Sequence, residues 1–227
     1  MAAETVREMA VGQRHDAVLA TILEIGVLPV VRLDAASDAP ALARALAAGG
    51  IPVLEFTLTT PGALEAIRAV RDEVPGSIVG AGTVLDGPAA SAAIQAGARL
   101  LVTPTICPEV LETGRRYGVP VFCGALTPTE ILAAWMGGAS CVKVFPAGAF
   151  GPSYIKAVGE PLPQVPLMPS GGVTAANAGE FIRAGAVAVS AGGQLVDRAL
   201  VAAGDWPGLT ARAQAFSRAV REARVAL

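Results

Sequence analysis

Eight short, nearly all-apolar runs recur along this chain at intervals that leave room for one helix between each pair. They are Val27–Arg32, Pro52–Thr57, Ser77–Gly82, Leu100–Pro104, Val119–Cys123, Ser140–Phe145, Val165–Pro169 and Ala186–Ala191. A strand that is apolar at every position, not at every second one, must be covered on both faces. That is the condition of a parallel sheet wrapped in helices. The intervening segments carry helix-start signals: Ser37/Asp38 before Ala39–Ala48, Thr60-Pro61 before Gly62–Glu73, and Asp86 before Pro88–Gln95. Later helices are expected to begin at Pro108, Thr127-Pro128, Pro152-Ser153 and Thr174, each with a proline or polar cap in its first turn. A glycine closes a helix just ahead of a strand at Gly49, Gly97, Gly138 and Gly185, a weak repeat with a βα period. Eight alternations favour closure, so the expected fold is a (β/α)8 TIM barrel spanning residues 1–227 as one domain. An extra N-terminal helix over roughly His15–Ile25, ended by Gly26, and a last helix over 209–225 complete it.

Composition excludes several function classes. The net charge of −2 gives no general attraction to nucleic acid or an anionic membrane, so any anionic ligand must be held locally. No apolar run reaches the length of a membrane span, and the N-terminal region, with Glu4, Arg7 and Glu8, lacks a signal-peptide core. Three widely spaced cysteines (Cys107, Cys123, Cys141) suggest neither a disulfide framework nor a metal site. A reducing cytoplasm is the expected compartment. The single histidine, His15, is assigned a surface or packing role.

One residue stands out against this background. The chain has fifteen arginines and two lysines, yet one of those lysines, Lys143, lies inside an apolar strand. Arginine keeps its proton in proteins, whereas a desolvated lysine can lose it and attack a carbonyl. Strand period two places Lys143 and Phe145 on one side, with Val142 and Val144 on the other. The same parity puts Val53, Glu55, Thr57 and Thr59 on the barrel axis and Leu54, Phe56 and Leu58 toward the helices. Glu55 follows Gly49 by six residues and Lys143 follows Gly138 by five, so both fall toward the carboxyl ends of their strands. Barrel enzymes keep their chemistry there. The bland alternatives are ion pairs, Glu55 with Arg32 or Lys143 with Glu55; the second is compatible with catalysis, because an acid beside a Schiff-base lysine can shuttle protons. Lys156 is expected on the surface.

Pro169-Ser-Gly-Gly-Val173 and Ala191-Gly-Gly-Gln194 end the last two strands, each expected to open onto a helix N-terminus. As a pair in these two loops they form the usual phosphate cradle of such barrels. Gly80-Ala-Gly-Thr83 lacks the third glycine of a dinucleotide loop, and that reading is rejected. Thr83 instead follows strand three at the same face.

Taken together and in order, Val53-Leu-Glu-Phe-Thr-Leu58, Val79-Gly-Ala-Gly-Thr-Val-Leu85, Val102-Thr-Pro104, Val142-Lys-Val-Phe-Pro-Ala147, Ser170-Gly-Gly172 and Gly192-Gly193 resemble a known family. It is the class I 2-keto-3-deoxy-6-phosphogluconate / 4-hydroxy-2-oxoglutarate aldolases, including the 6-phosphogalactonate branch. The resemblance implies a metal- and cofactor-independent enzyme in which Lys143 forms the Schiff base and Glu55 is the general acid/base. It implies that Thr83, Pro104 and Phe145 line the pocket for the pyruvyl portion. Ser170, where threonine is usual, and the amides of Gly171, Gly172, Gly192 and Gly193 would hold the phosphate. A homotrimer is also implied. Two positions depart from the pattern: Thr59 stands where gluconate-type members hold the substrate carboxylate with arginine, and Gln194 replaces a serine. Arg32, at the end of strand one, resembles an arginine of other branches and could supply the missing charge. Residues Phe145–Lys156 look more like the galactonate branch. The competing expectations are another phosphate-binding barrel enzyme, such as an epimerase or a thiamine-phosphate-synthase-like transferase, and a catalytically silent sugar-phosphate-binding barrel.

Overall fold

The computed structural model of the protein describes residues 16–225. His15 lies outside them. The strands are β1 (Val27–Val31), β2 (Val53–Thr57), β3 (Ile78–Gly82), β4 (Leu101–Val102), β5 (Val121–Ala125), β6 (Cys141–Val144), β7 (Leu167–Pro169) and β8 (Val189–Ala191). The helices are α1 (Asp16–Ile25), α2 (Ala39–Ala48), α3 (Ala63–Glu73), α4 (Gly87–Ala96), α5 (Pro108–Tyr117), α6 (Pro128–Met136), α7 (Gly151–Gly159), α8 (Ala178–Arg183), α9 (Arg198–Ala202) and α10 (Trp206–Val225).

The strands pair in parallel in the order β7-β6-β5-β4-β3-β2-β1-β8. The ring closes where the Val187 amide donates to the Leu167 carbonyl and Ser170 bridges Ser190. Every residue of the eight strands is buried, which is why their sequences show no polar alternation. Leu54 and Phe56 pack outward under the helices; burying each such side chain contributes roughly 1.5–3 kcal/mol before entropy is counted.

The helix starts follow their capping residues. The Asp86 carboxylate accepts from the Ala89 amide, and Thr127 with Glu130 forms a reciprocal capping box. Gly26 ends α1 at φ +72. The long α10 lies across α2 and α8, and its Arg224 donates to the carbonyls of Leu23, Glu24 and Val187, tying α1 and α10 to the barrel. Among the described residues no helix is long and apolar enough to cross a membrane.

Several boundaries differ from the sequence expectation, β4 and β8 being shorter than their apolar runs, and three of the differences bear on the site. Strand β5 continues through Gly124 and Ala125, past the expected end at Cys123. A Cβ on Gly124 would lie 2.3 Å from the Pro104 carbonyl oxygen, so this glycine admits a neighbouring loop and does not end the strand. The helix after β7 starts at Ala178 and not at Thr174. There the Asn177 side chain accepts from the Thr174 amide while Thr174 Oγ1 accepts from the Asn177 amide, closing a separate turn. After β8, Gly192-Gly193 leads into a tight turn, not directly into a helix: the Leu195 and Val196 amides both donate to the Gly192 carbonyl before α9 begins.

Candidate active site

Register carries the two charged strand residues to one place. Glu55 pairs across with Val30 and Gly80, and Lys143 with Gly124 and Met168, all on the axial side. The Lys143 Nζ and Glu55 Oε1 stand 3.7 Å apart, with both side chains almost wholly buried. The glutamate therefore faces the lysine and not Arg32, which is exposed at the mouth. At 3.7 Å this is an ion pair without a hydrogen bond, and among the described residues neither Glu55 oxygen has a hydrogen-bond partner. Burial raises the Glu55 pKa above the ordinary carboxylate range, against the opposing pull of Lys143 and, more weakly, Arg32. A buried carboxylate held this way is costly for stability and suited to proton transfer.

The surroundings make room for that carboxylate. A Cβ on Gly82 would sit 2.7 Å from Glu55 Oε2, so only glycine leaves the acid where it is. Gly82 was missed as a site residue; the Gly80-Ala-Gly-Thr83 stretch was its only trace in the sequence. Thr83, immediately after it, has φ +56, a sterically costly backbone for a threonine and the only such non-glycine residue among those described. The Phe145 ring lies over Lys143 Nζ at 5.6 Å and is itself partly open to solvent at the barrel mouth. Pro104 is half-buried beside β5.

On the glutamate side Thr57, buried, receives a hydrogen bond from Thr59 Oγ1 at 3.1 Å and shares another of 3.1 Å with Thr60. Thr60 was not foreseen; its partner is reached only because the chain turns there, with the Thr60 amide donating to the Thr57 carbonyl. Thr59 is exposed at the rim. Arg32 reaches toward the β8 loop, its Nη1 3.8 Å from where a Cβ on Gly192 would be.

The β7 and β8 loops form the opposite wall. Gly171 and Gly172 have φ +83 and +78, and a Cβ on Gly172 would come 2.8 Å from the Gly148 Cα. Asn177 Nδ2 donates to the Gly172 carbonyl, fixing the loop from behind. Among the described residues the amides of Gly171, Gly172, Gly193 and Gln194 have no protein acceptor. Ser170 is buried and donates to Ser190 Oγ at 3.3 Å, a contact the sequence reading did not anticipate. Gln194 has an exposed side chain and offers its carbonyl to Arg212. Among the described residues no three His, Cys, Asp or Glu side chains converge as metal ligands would.

A closed (β/α)8 barrel with a lysine and a carboxylate buried side by side on the axial face of two strands has the architecture of a Schiff-base aldolase. Residues 18–212 match the family model described as KDPG and KHG aldolase. The 2-dehydro-3-deoxy-phosphogluconate aldolase of Pseudomonas aeruginosa is 38% identical over 184 residues, covering 81% of this chain and 84% of that protein. Among solved structures, one described as native KDPGal superimposes with a TM-score of 0.82 at 34% identity, covering 88% of this chain and 96% of the other. The KDPG aldolase of Legionella pneumophila, captured with pyruvate as a covalent carbinolamine, gives 0.82 at 32% identity, with 87% and 97% covered. The chain belongs to the KDPG and KHG aldolase family. It is a class I aldolase, a carbon–carbon lyase.

Proposed function

We propose that this aldolase reversibly cleaves a 2-keto-3-deoxy-6-phospho sugar acid, of gluconate or galactonate type, to pyruvate and glyceraldehyde 3-phosphate, with Lys143 as nucleophile and Glu55 as proton carrier. The observation that carries the assignment is the Lys143–Glu55 pair, buried at 3.7 Å with no hydrogen bond to the carboxylate among the described residues. Lys143 Nζ adds to the C2 ketone, and the resulting carbinolamine loses water with a proton delivered by Glu55. The carboxylate then takes the proton of the C4 hydroxyl as the C3–C4 bond breaks. Those bonding electrons enter the iminium, giving an enamine that is protonated at C3 and hydrolysed to pyruvate. A protonated imine accepts the electron pair far better than a ketone, which is why the site needs an amine. A carboxyl group with a raised pKa exchanges protons near neutrality more readily than an ordinary one.

In this reading Thr83, Pro104 and Phe145 enclose the pyruvyl portion, with Thr57 and Thr59 beside it, while Ser170, Gly171, Gly172, Gly192, Gly193 and Gln194 form the phosphate end. The unpaired loop amides support the phosphate end. Arg32 holds the substrate carboxylate, since it is exposed at the mouth and has no ion-pair partner among the described residues. Replacing Arg32 by alanine is expected to raise the Michaelis constant for pyruvate; an unchanged value removes this role. The protein is proposed to be cytoplasmic and homotrimeric. Its three free cysteines and the exposed apolar side chains of Met136 and Phe150, surfaces a neighbouring subunit would cover, support that reading, which sedimentation analysis checks.

Borohydride reduction in the presence of pyruvate tests the central assignment. A reduced pyruvyl adduct is expected on the peptide carrying Lys143. Absence of an adduct in folded protein would sink the mechanism. Parallel cleavage assays with the two 6-phospho epimers and 4-hydroxy-2-oxoglutarate decide the preferred substrate.

A further inference from the structure

The turn after β8 is held from outside the barrel. Arg212, in the second turn of α10, donates from Nη1 to the Gln194 carbonyl at 3.0 Å and from Nη2 to Asp197 Oδ2 at 2.9 Å. The same Asp197 caps α9 by accepting from the Ala199 amide. We propose that Arg212 is a positioning residue for substrate binding: its guanidinium fixes the turn whose free amides, on Gly193 and Gln194, receive the phosphate. The inference rests on the phosphate reading given above.

Planarity of the peptide unit makes the contact informative. The Gln194 carbonyl and the Leu195 amide belong to one plane and point in opposite directions. Arg212 holds one end of that plane, and the Gly192 carbonyl, which accepts from Leu195, holds the other. Strand β8 fixes the chain on the near side. The Gly193 amide shares its plane with the Gly192 carbonyl, which the Leu195 and Val196 amides hold, so one peptide plane, carrying the Gln194 amide, lies between these anchors. Side-chain packing does not hold that plane, because among the described residues nothing lies within 4 Å of a Cβ position on Gly193 and Gln194 is exposed. Without the guanidinium that plane would sample several orientations and lose affinity to ordering. A fork of two hydrogen bonds from a helix removes that loss.

The competing explanation is a half-exposed Arg212–Asp197 ion pair that contributes to stability alone. The two differ in which substrate they affect. Steady-state constants are measured for a 6-phosphorylated 2-keto-3-deoxy sugar acid and its unphosphorylated counterpart, using wild type, Arg212→Ala and Arg212→Lys. Arg212→Ala is expected to raise the Michaelis constant for the phosphorylated substrate about tenfold while leaving kcat and the unphosphorylated substrate unchanged. Arg212→Lys keeps the charge but not the fork, and is expected to recover only part of the loss. Equal effects on both substrates, no effect on either, or complete rescue by lysine would overturn the proposal. Should the alanine variant fail to fold, the lysine variant decides alone by the same split. Failure of the phosphate reading shows separately, as a wild-type enzyme indifferent to phosphorylation.

Discussion

The two walls of the candidate site are built by opposite means. On the β2–β6 side, Glu55 and Lys143 project from strand interiors and are almost fully buried, and among the described residues the acid has no hydrogen bond to offset its desolvation. On the β7–β8 side, the proposed phosphate end consists of backbone amides in glycine turns, with buried Ser170 the one side chain given to it. The first wall places charge where water is excluded and tunes it by burial. The second offers neutral donors at the edge of solvent, needing no counter-charge in a chain whose net charge is −2. Substitutions in the two walls should therefore fail differently: on the strand side in turnover, on the loop side in substrate affinity.

The largest effect is expected at Lys143. Lys143→Arg keeps the positive charge beside Glu55 but removes the nucleophile, and cleavage should fall by at least about four orders of magnitude. Residual turnover near wild type would move the chemistry to another residue. Next comes Glu55→Gln, expected to lower kcat by roughly 10²–10⁴. This change also reports on strain. Because burial raises the folded pKa of Glu55, its favourable contribution to folding is fully present below the unfolded value of about 4.5 and is lost as pH rises through the folded value. Above that window the buried charge costs stability, so Glu55→Gln should melt higher than wild type at neutral pH and lose this advantage near pH 4. An equal difference in melting temperature at both pH values would break the link between burial and proton transfer.

A subtler probe of the strand wall is Gly82→Ala. The added methyl would meet Glu55 Oε2 at 2.7 Å and displace the carboxyl from the lysine without removing it. A drop in kcat of about a hundredfold, with little change in the Michaelis constant, is expected. Stopped-flow measurement of Schiff-base formation should show it slowed in proportion.

How far the sequence discloses each wall follows from the same contrast. Period-two parity in β2 and β6 is a local rule, and it alone set Glu55 and Lys143 inward, because a residue buried on a strand has two faces to choose between. Their approach to 3.7 Å is a matter of register around a closed sheet, which eight apolar runs imply but do not measure. The loop wall was legible only in outline. The glycine pairs after strands seven and eight marked it, but the helix expected at Thr174 begins at Ala178, because a side-chain exchange with Asn177 competes with helix formation. Thr60, Ser190 and Arg212 were invisible for a related reason. Each acts through a hydrogen bond to a residue brought near by a turn, by barrel closure or by helix docking, and no local pattern encodes those partners. Gly124 lies just past the run expected to form β5, and the strand runs through it because its missing side chain gives clearance to the Pro104 carbonyl.

The smallest expected effects separate two glycines within the loop wall itself. Gly172 has φ +78, and a methyl there would come 2.8 Å from the Gly148 Cα, so Gly172→Ala must shift backbone against backbone. Gly193 has no left-handed φ and nothing within 4 Å of its Cβ position, so Gly193→Ala fits without displacement. The first substitution should raise the Michaelis constant for the phosphorylated substrate about tenfold and lower the melting temperature, since both strain and lost amide geometry act together. The second should leave stability within about 0.5 kcal/mol and change affinity by less than the first. If Gly193→Ala instead abolishes phosphate selectivity while the fold is unchanged, the open space over Gly193 is where the phosphate itself sits. The β8 turn would then be the principal anion contact, with the β7 turn secondary to it.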